Sequence, residues 1–349
     1  MGQREFAARP VFNGKPGFAL ARFDAPGDGP VEVIEADIVV KGSALRFAGG
    51  ARLNDTPSND AQRALLDGAA RTTTPVRAGM SGRTPAITDE ATYHALVADA
   101  VAAIEAGRFA KVVTSRAEPR PLPPDTDLLD LFERLAKRYP AAFVALVTRP
   151  GRDAWLVATP ETLLSWRGGE LRTMALAGTQ IRPDVADLAT VTWVDKLIEE
   201  QAIVARDIRR AFSTCGVIDY VESGPRTVRA ANLVHLRSEF VVPDVAPDLA
   251  ARLLGALHPT AAVCGLPKAE AAAYLREREG YDRACYAGFL GPVNMDGGTD
   301  LFVNLRTSQI IGDTLFLYVG GGIVAGSDPA TEWAETVAKT RTVGAVLDT

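Results

Sequence analysis

The feature that most constrains the fold is a succession of apolar, strand-like segments in mid-chain, joined by tight turns. The segments AAFVALVTRP, AWLVATP, TLLSWRGG and ELRTMALAG follow one another between residues 141 and 178. Parallel neighbours need long crossovers, usually helical, and none fits between these segments. The succession therefore predicts antiparallel sheet. The segments CYAGFLGPVNM, TDLFVNLRTSQI and DTLFLYVGG repeat the pattern between residues 285 and 321.

Helical segments are interspersed with these runs. Apolar residues at helical spacing, with caps and stop signals, predict the following helices: Thr88 or Asp89 to Gly107, DLLDLFERLAKRY before Pro140, about Ala186 to Phe212, about Pro247 to Leu257, and one opening at Pro267. Short strands are predicted before residue 60, and a connector at 61–88. No convincing break follows residue 90, so we predict one large α+β domain over residues 1–349.

Composition excludes several classes of function. The net charge is -5 and there is no basic run, which argues against a nucleic-acid partner. No stretch of 18 apolar residues exists to span a membrane, and the N-terminus does not resemble a signal peptide. We therefore expect a cytoplasmic protein. Cys215, Cys264 and Cys285 lack metal-ligand spacing, which fits a reducing compartment.

The C-terminal segment LYVGGGIVAGSDPATEWAETVAKT contains a predicted helix with charged residues along one face. We interpret it as a strand ending at Val319, a triple-glycine turn and a helix that Ser327 or Asp328 caps. Spacings of three and four place Glu332, Glu335 and Lys339 on one helix face. They are either an ordinary solvated face or, beside free glycine N–H groups, part of a site for an anion and a divalent metal.

Three further charged positions suggest acid–base chemistry, although each alone is most simply a surface residue. Lys111 opens the strand KVVTSR, and a lysine buried there can act as a general base. Glu161 stands at a strand junction in ATPETLL, where desolvation raises a carboxyl pKa and makes it a general acid. Glu200 follows Lys196 by one helical turn, and with Glu335 it offers carboxylates that suit Mg²⁺.

Taken together, these motifs resemble the chorismate-utilising enzymes, which include isochorismate, salicylate, anthranilate and aminodeoxychorismate synthases. The resemblance covers about residues 90–345 and rests on KVVTSR, ATPETLL, LAGT, KLIEEQ, NLVHLRSE, HPTAAVCGLPK, YAGFLG, FVNLR and GGGIVAGSDPATEWAETVAK. It implies two large antiparallel sheets packed together and flanked by helices, with the site between them. Residues 1–88 then correspond to the family's variable N-terminal part, and 89–349 to its core.

The resemblance also implies roles for individual residues. Mg²⁺ is expected at Glu200 and Glu335, bridging to the ring carboxylate of chorismate, with Glu332 as a nearby contact. Lys339, Gly178 and Thr179 are expected around that carboxylate, and His235 close to the ring. Tyr286, Arg306 and the Gly322 amide are expected at the enolpyruvyl carboxylate, with Tyr318 close enough to donate a hydrogen bond to it. Lys111 is expected as the base and Glu161 as the acid.

Four positions favour one member of the group. Lys111 stands at a position where the water-using members resemble one another. Anthranilate-type synthases usually have glutamine there. Ala177 stands where aminodeoxychorismate synthases often carry lysine. His258 and Ala262 stand where salicylate and anthranilate synthases typically have phenylalanine and threonine. Together they favour a monomeric isochorismate synthase without a glutaminase subunit. Salicylate synthase remains the main alternative, since Tyr286 matches it; an anthranilate synthase component or a non-catalytic chorismate-binding protein are others.

Overall fold

The computed structural model describes most of the chain after residue 75 and short stretches before it. The described residues are 4–6, 12, 14–24, 31–35, 38–41, 44–47, 76–149, 151–181, 187–230, 233–344 and 347. Within them the structure is α+β and is built mainly on two large antiparallel sheets, as predicted. Most of the connector predicted at 61–88 lies outside the described residues.

Strands of the described residues are numbered in chain order. They are β1 (Arg4–Phe6), β2 (Gly17–Leu20), β3 (Val31–Glu35), β4 (Ile38–Lys41), β5 (Ala44–Phe47), β6 (Lys111–Pro121), β7 (Phe143–Thr148), β8 (Ala154–Thr159), β9 (Thr162–Arg167), β10 (Glu170–Ile181), β11 (Val221–Ala230), β12 (Leu233–Val242), β13 (Gly265–Leu266), β14 (Phe289–Val293), β15 (Gly298–Val303), β16 (Thr307–Ile311) and β17 (Thr314–Ile323). The larger sheet has the order β1-β3-β2-β14-β15-β9-β10-β12-β11, and the smaller sheet the order β13-β6-β17-β16-β8-β7. Strands β4 and β5 pair with each other.

The inner faces of the two sheets share one apolar core. Trp155 and Val157 of the smaller sheet belong to the same buried cluster as Leu163 of the larger sheet. Across the layers, Phe143 of β7 stacks on Phe302 of β15 with ring centroids 4.0 Å apart. The N-terminal strands belong to the same structure, because β2 pairs with β14. Functional side chains that point between the sheets are therefore shielded from water.

Helices flank the sheets at α1 (Glu90–Glu105), α2 (Leu128–Arg138), α3 (Asp195–Thr214), α4 (Pro247–Leu257), α5 (Lys268–Arg278) and α6 (Pro329–Gly344). Asp89 caps α1 by accepting the Thr92 N–H at 2.8 Å, and Gly107 follows the helix end with φ +74°. The outer face of the smaller sheet packs on Leu131 and Leu135 of α2. None of the helices described spans a membrane, since none is long and apolar enough.

The long helix begins later than predicted. The sequence pattern predicts helix from about Ala186, but α3 begins at Asp195. Asp187 caps a separate 3₁₀ turn, Leu188–Thr190, by accepting the Ala189 N–H at 2.9 Å. The following residues are extended up to Val194, which has φ -80° and ψ 151°. Their β-branched side chains favour extended backbone, which separates the 3₁₀ turn from the helix.

The prediction of a triple-glycine turn is wrong, because the glycines continue the strand. Strand β17 runs through them to Ile323, with Gly320, Gly321 and Gly322 opposite Ser115, Thr114 and Val113 of β6. The absence of side chains serves close approach rather than chain reversal. A Cβ on Gly322 would lie 2.2 Å from Glu200 Oε1, and one on Gly320 would lie 2.8 Å from Tyr286 Oη.

Two crossings of the chain from one sheet to the other determine where the site forms. The first joins β8 to β9 through Pro160 and Glu161, and the second joins β15 to β16 through Arg306. The crossings are hydrogen-bonded near their ends, since the Ala158 N–H donates to the Arg306 carbonyl and the Val303 N–H to the Glu161 carbonyl, both at 3.0 Å. Arg306 has φ +47°, the left-handed turn that takes the chain between sheets.

Candidate active site

A cavity of about 670 Å³, counted to its open mouth, lies where these crossings bring the two sheets together. The predicted residues that line it are Glu161, Thr179, Glu200, His235, Tyr286, Arg306, Tyr318, Gly322 and Lys339. Apolar wall is supplied by Val113, Leu176, Val263 and Leu305, among others. A size of this order and a mixed lining suit a small organic ligand with a few polar groups.

Glu161 is the most unusual group in the wall. It is 2% exposed, and no hydrogen bond reaches its carboxyl from any described residue. Burial raises its pKa to about 8, although the positive charges of Lys111 and Arg306 act in the opposite direction. The desolvation expected at this strand junction is therefore present. A carboxyl that holds its proton near neutral pH and faces an open cavity has the properties of a general acid.

A chain of hydrogen bonds sets the protonation of His235. Arg306 Nη2 lies 3.3 Å from His235 Nε2, and since a guanidinium can only donate, Nε2 must accept. The proton then resides on Nδ1, which faces Thr179 Oγ1 at 3.2 Å. Burial, followed by the charges of Arg306 and Lys339, holds the pKa of His235 well below its usual range. Thr179 accepts from the neutral ring, so its own proton is free to be donated to a ligand.

Gly178 does not line the cavity but lies behind its wall, where it contacts α3. A bulge in β10 lies between Ala177 and Thr179, and Gly178 within it has φ +70°. A Cβ on Gly178 would lie 2.9 Å from the Leu197 carbonyl oxygen of α3. The glycine therefore allows α3 to pack close to β10, and α3 carries Glu200.

Lys111 is completely buried and donates a hydrogen bond to Glu200 Oε1 at 3.0 Å. Lys196 and Glu200 stand one helical turn apart but do not pair with each other. Lys196 instead donates to Glu332 Oε1 at 2.7 Å, which joins α3 to α6. The reason is that Lys196 and Glu200 share a helix face that packs against other elements, so each finds a partner there.

The open edge of β17 supplies backbone groups to the cavity. Val113 N–H donates to the Cys264 carbonyl on the far side of β6, so the pair Val113–Gly322 carries no ladder bonds. The N–H of Gly322 therefore points away from β6, to the side from which β16 has departed. On the same edge, the Gly320 carbonyl accepts from Lys339 Nζ at 2.7 Å. A backbone donor and an ammonium group thus lie together at the cavity.

The charged face of α6 is packed against the site and is not a solvated stripe. Glu332 is 3% exposed and accepts from Ser327 Oγ at 2.8 Å as well as from Lys196. Glu335 accepts from Lys339. Burial raises the pKa of Glu332, and the charge of Glu335 adds to that effect. The helix cap is Asp328, which accepts the Thr331 N–H, while Ser327 serves Glu332.

Tyr286 and Tyr318 stack with centroids 5.2 Å apart but differ in their hydroxyl groups. Tyr286 Oη makes no hydrogen bond with a described residue, and burial raises its pKa to about 12, so it is a free donor. Tyr318 Oη donates to Gln309 Oε1 at 2.8 Å, and Gln309 Nε2 donates to Asp153. In this structure the hydroxyl proton of Tyr318 is used within the protein, and its donation to a ligand stays a prediction. The Tyr318 ring forms part of the cavity wall, and its hydroxyl group donates to Gln309.

The carboxylate oxygens of Glu200, Glu332 and Glu335 are of the chemical type that binds Mg²⁺. Glu200, Glu332 and Glu335 each use one oxygen for a lysine, and the other accepts no hydrogen bond from the described residues. Mg²⁺ takes one or two protein carboxylates and completes its shell with water and substrate oxygens. No cluster of three or more acidic, His or Cys side chains in the described part of the chain is arranged as a ready-made metal cage. Glu200 and Glu335 would be the carboxylates to hold such an ion, with water and ligand oxygens completing its shell.

Sequence reasoning missed the residues that hold the site from behind. Asp153, Gln309, Glu279 and Arg283 are all buried and hydrogen-bonded behind the cavity. In the sequence, Glu279 and Arg283 flank a glycine at the end of a charged helix, which is typical of an exposed helix terminus. Gln309 follows two polar residues, Thr307 and Ser308, so no alternation in the sequence marks it as buried.

The cavity between the two sheets thus brings together a buried carboxyl group, an arginine and a lysine. Residues 53–348 match the family described as "Chorismate binding enzyme", and the chain belongs to that family.

Individual proteins similar to this chain include isochorismate synthases and an anthranilate synthase component. The "Salicylate biosynthesis isochorismate synthase" of Pseudomonas aeruginosa is 35% identical over 252 residues, which are 71% of this chain and 52% of that protein. The "Anthranilate synthase component 1" of Streptomyces coelicolor is 31% identical over 281 residues, 77% and 53% of the two chains. This chain thus spans about half the length of these curated relatives. The menaquinone-specific isochorismate synthase MenF of Escherichia coli shares the fold, with a TM-score of 0.76 at 24% identity over 95% of this chain and 78% of that one.

Proposed function

We propose that the protein is an Mg²⁺-dependent isochorismate synthase, which adds water at C2 of chorismate and removes the hydroxyl at C4. The observation that carries this proposal is the Glu161 carboxyl. It is buried at the cavity wall with a pKa raised to about 8 and without a hydrogen-bond partner among the described residues. A protonated carboxyl in that condition needs a ligand acceptor. The C4 hydroxyl of chorismate, which leaves as water, is such an acceptor.

The reaction combines two proton transfers with a shift of two double bonds. Lys111 takes a proton from the attacking water as the water oxygen bonds to C2. The C1–C2 double bond shifts to C1–C6, and the C5–C6 double bond shifts to C4–C5. The C4–O bond breaks as Glu161 gives its proton to the departing hydroxyl. Water enters and water leaves, so reactant and product are isomers and the reaction is reversible.

Substrate binding uses the donors of the cavity. The ring carboxylate is oriented by Lys339 and the Thr179 hydroxyl, and the enolpyruvyl carboxylate by Tyr286, Arg306 and the Gly322 N–H. When bound at Glu200 and Glu335, with Glu332 nearby, Mg²⁺ supplies positive charge to the ring carboxylate. The carboxylates named here are each paired with a lysine: Glu200 with Lys111, Glu332 with Lys196 and Glu335 with Lys339.

Lys111 is the argument against an amine-using synthase. Ammonia is already a nucleophile when neutral, whereas water requires a base to remove its proton. Lys111 is fully buried and contacts Glu200, which lines the cavity, so a candidate base lies next to the ligand space. Ala177, in the wall, offers no nucleophile of the kind that aminodeoxychorismate synthases often use. These positions support water as the nucleophile.

Product analysis tests the proposal. Purified protein is incubated with chorismate and Mg²⁺, and the products are separated by chromatography. Isochorismate in equilibrium with chorismate, approached from either side, is the expected result. Stoichiometric pyruvate and salicylate would identify a salicylate synthase, the alternative that the Tyr286 match favours. Anthranilate formed only with ammonia would identify an amine-using synthase. Binding of chorismate without turnover would leave a metabolite-binding protein.

A further inference from the structure

The outer edge of β6 is completed by side chains where its partner strand ends. Strand β13 pairs with β6 over two residues, Gly265 opposite Val112 and Leu266 opposite Lys111. The Val113 N–H still reaches the Cys264 carbonyl at 2.9 Å. In a strand, the N–H and C=O of one residue point to the same side, so the Val113 carbonyl and the Ser115 N–H also face this edge. A continuing strand would supply a donor to the first and an acceptor to the second.

An Arg–Glu pair supplies both. Arg283 Nη2 donates to the Val113 carbonyl at 2.5 Å, and Glu279 Oε1 accepts the Ser115 N–H at 2.7 Å. Arg283 Nε donates to Glu279 Oε2 at 2.7 Å, which closes the pair. The two side chains therefore present to β6 the donor and acceptor that one residue of a neighbouring strand would present. The side chains of Arg283 and Glu279 are 3% and 2% exposed, so water does not replace them.

The same pair extends from this edge to the cavity. Arg283 Nη1 donates to the Val263 carbonyl at 2.8 Å, and both Val113 and Val263 line the cavity. Its guanidinium carbon lies 5.7 Å from the Tyr286 ring centroid. Lys111, two residues before Val113, belongs to the strand that is held. Each nitrogen of Arg283 is used in this way, so none is left for a ligand.

We propose that Arg283 and Glu279 are positioning residues that act in place of a β-strand and fix Lys111 and the Val113–Val263 wall for catalysis. This inference rests on the proposed function for its kinetic consequence alone. Neither side chain touches the substrate. Their loss shifts the base relative to the attacked carbon, and a displacement of about 1 Å in such a group costs on the order of 10²-fold in rate.

A second cavity makes the inference testable by chemical rescue. About 320 Å³ in size to its mouth, it lies behind the pair and is lined by Phe23, Tyr281, Glu279 and Arg283, among others. Arg283→Ala removes the guanidinium and opens its place to this cavity. Guanidinium ion added well below denaturing concentration then has the shape and charge to rebind Glu279 and the two carbonyls.

The experiment compares Arg283→Ala with Arg276→Ala, whose arginine lines the same cavity and is exposed. For Arg283→Ala we expect kcat to fall on the order of 10²-fold with KM nearly unchanged, and guanidinium to restore most of it. Ammonium at equal concentration should restore nothing, because it cannot span two acceptors. Arg276→Ala should behave as wild type throughout. Loss of kcat without guanidinium rescue, or equal changes in kcat and KM, would overturn the inference.

Amide hydrogen exchange of the peptide covering 111–116 gives a readout that needs no turnover. Ser115 N–H is protected by Glu279, so exchange should accelerate in Arg283→Ala and slow again with guanidinium. If the wild type does not convert chorismate, the proposed function fails while this measurement still tests the strand replacement. Should Arg283→Ala not fold, Arg283→Lys keeps the charge but loses the fork, and it should show the same exchange change. Unchanged exchange in the folded variant would contradict the role.

Discussion

Two clusters of buried charge in this protein differ in how completely their hydrogen-bonding groups are used. Behind β6, Arg283 and Glu279 engage each other, two carbonyls and the Ser115 amide. At the cavity, Glu200 and Glu335 use one oxygen each, and Glu161 uses neither with any described residue. Both clusters contain buried ion pairs, so charge alone does not separate them. The difference lies in unused acceptors and donors.

The contrast has an energetic basis. A buried polar group without a partner costs stability, and a fold built only to be stable would satisfy or remove it. The cost is tolerated where a ligand completes the arrangement, since the missing partners then arrive on binding. The saturated cluster behind β6 therefore indicates positioning, whereas the unsaturated cluster at the cavity indicates a place where a bound group completes the hydrogen bonds. Each prediction below tests one side of this distinction.

Glu161→Gln should have the largest effect. Glutamine keeps the size of the side chain but cannot give a proton to the leaving hydroxyl, so kcat should fall by roughly 10² to 10⁴-fold. The wild-type rate should itself decline as pH rises through about 8, because Glu161 acts in its protonated form. Steady-state kinetics from pH 6 to pH 9 measure both. A variant with the wild-type rate would remove Glu161 from the mechanism.

The same variant should gain stability, which separates function from folding. The pKa of Glu161 is raised in the folded protein from an ordinary 4.5 to about 8. The wild type therefore loses stability as pH rises through this interval, since the folded state holds the proton more tightly. Glutamine does not titrate. The thermal unfolding temperature of Glu161→Gln should exceed that of wild type, with a gap that widens up to about pH 8 and then stays constant.

Asp153→Ala should have the largest effect on a saturated cluster. Asp153 accepts from Gln309 Nε2 at 2.6 Å, from Trp155 Nε1 at 3.1 Å and from Arg149, and it is 3% exposed. Removal leaves the Gln309 and Trp155 donors buried and unpaired and leaves Arg149 with Glu32 as its one remaining acidic partner among the described residues, so the free energy of unfolding should fall by about 3–5 kcal/mol. Urea denaturation measures it. Asp219→Ala, at an exposed position, is the control and should change little.

Glu335→Gln should weaken magnesium binding with little loss of stability. Its carboxylate has an unused oxygen, and replacing it removes one negative charge from the proposed ion site. We expect at least about tenfold weaker Mg²⁺ binding in the presence of chorismate, measured by calorimetry. Glu222→Gln changes an exposed pair with Arg209 and is the matched control. Equal Mg²⁺ affinity in the two variants would place the ion elsewhere.

Sequence patterns predicted the sheet character and five of the helices to within a residue or two at most ends, and the family resemblance predicted nine residues that line the cavity. Periodicity and caps are local properties, so they are readable from short segments. The glycine triplet was misread because three glycines are as consistent with a turn as with a strand approached by bulky groups from other elements. The decisive neighbours, Glu200 and Tyr286, are remote in sequence.

The pairing of charges was also beyond reach of the sequence. Helical spacing places Lys196 beside Glu200, yet each pairs across elements, Lys196 with Glu332 and Glu200 with Lys111. Which partner wins depends on how α3 packs against β10, and that depends on Gly178. Hydrogen-bond direction is equally non-local. That the Tyr318 hydroxyl donates within the protein becomes clear only from the positions of Gln309 and Asp153.

The smallest expected effect distinguishes two stacked tyrosines that differ only in hydroxyl use. Tyr286→Phe removes a free donor, so KM for chorismate should rise roughly tenfold, as for a lost hydrogen bond to a carboxylate. Tyr318→Phe leaves the ring wall intact but leaves Gln309 Oε1 without its donor. It should lower the free energy of unfolding by about 1–3 kcal/mol and change KM far less than Tyr286→Phe does. Kinetics and urea denaturation of both variants decide the matter. If Tyr318→Phe instead raises KM as much as Tyr286→Phe, its hydroxyl turns to the ligand on binding, and saturation in the free protein would no longer separate positioning groups from binding groups.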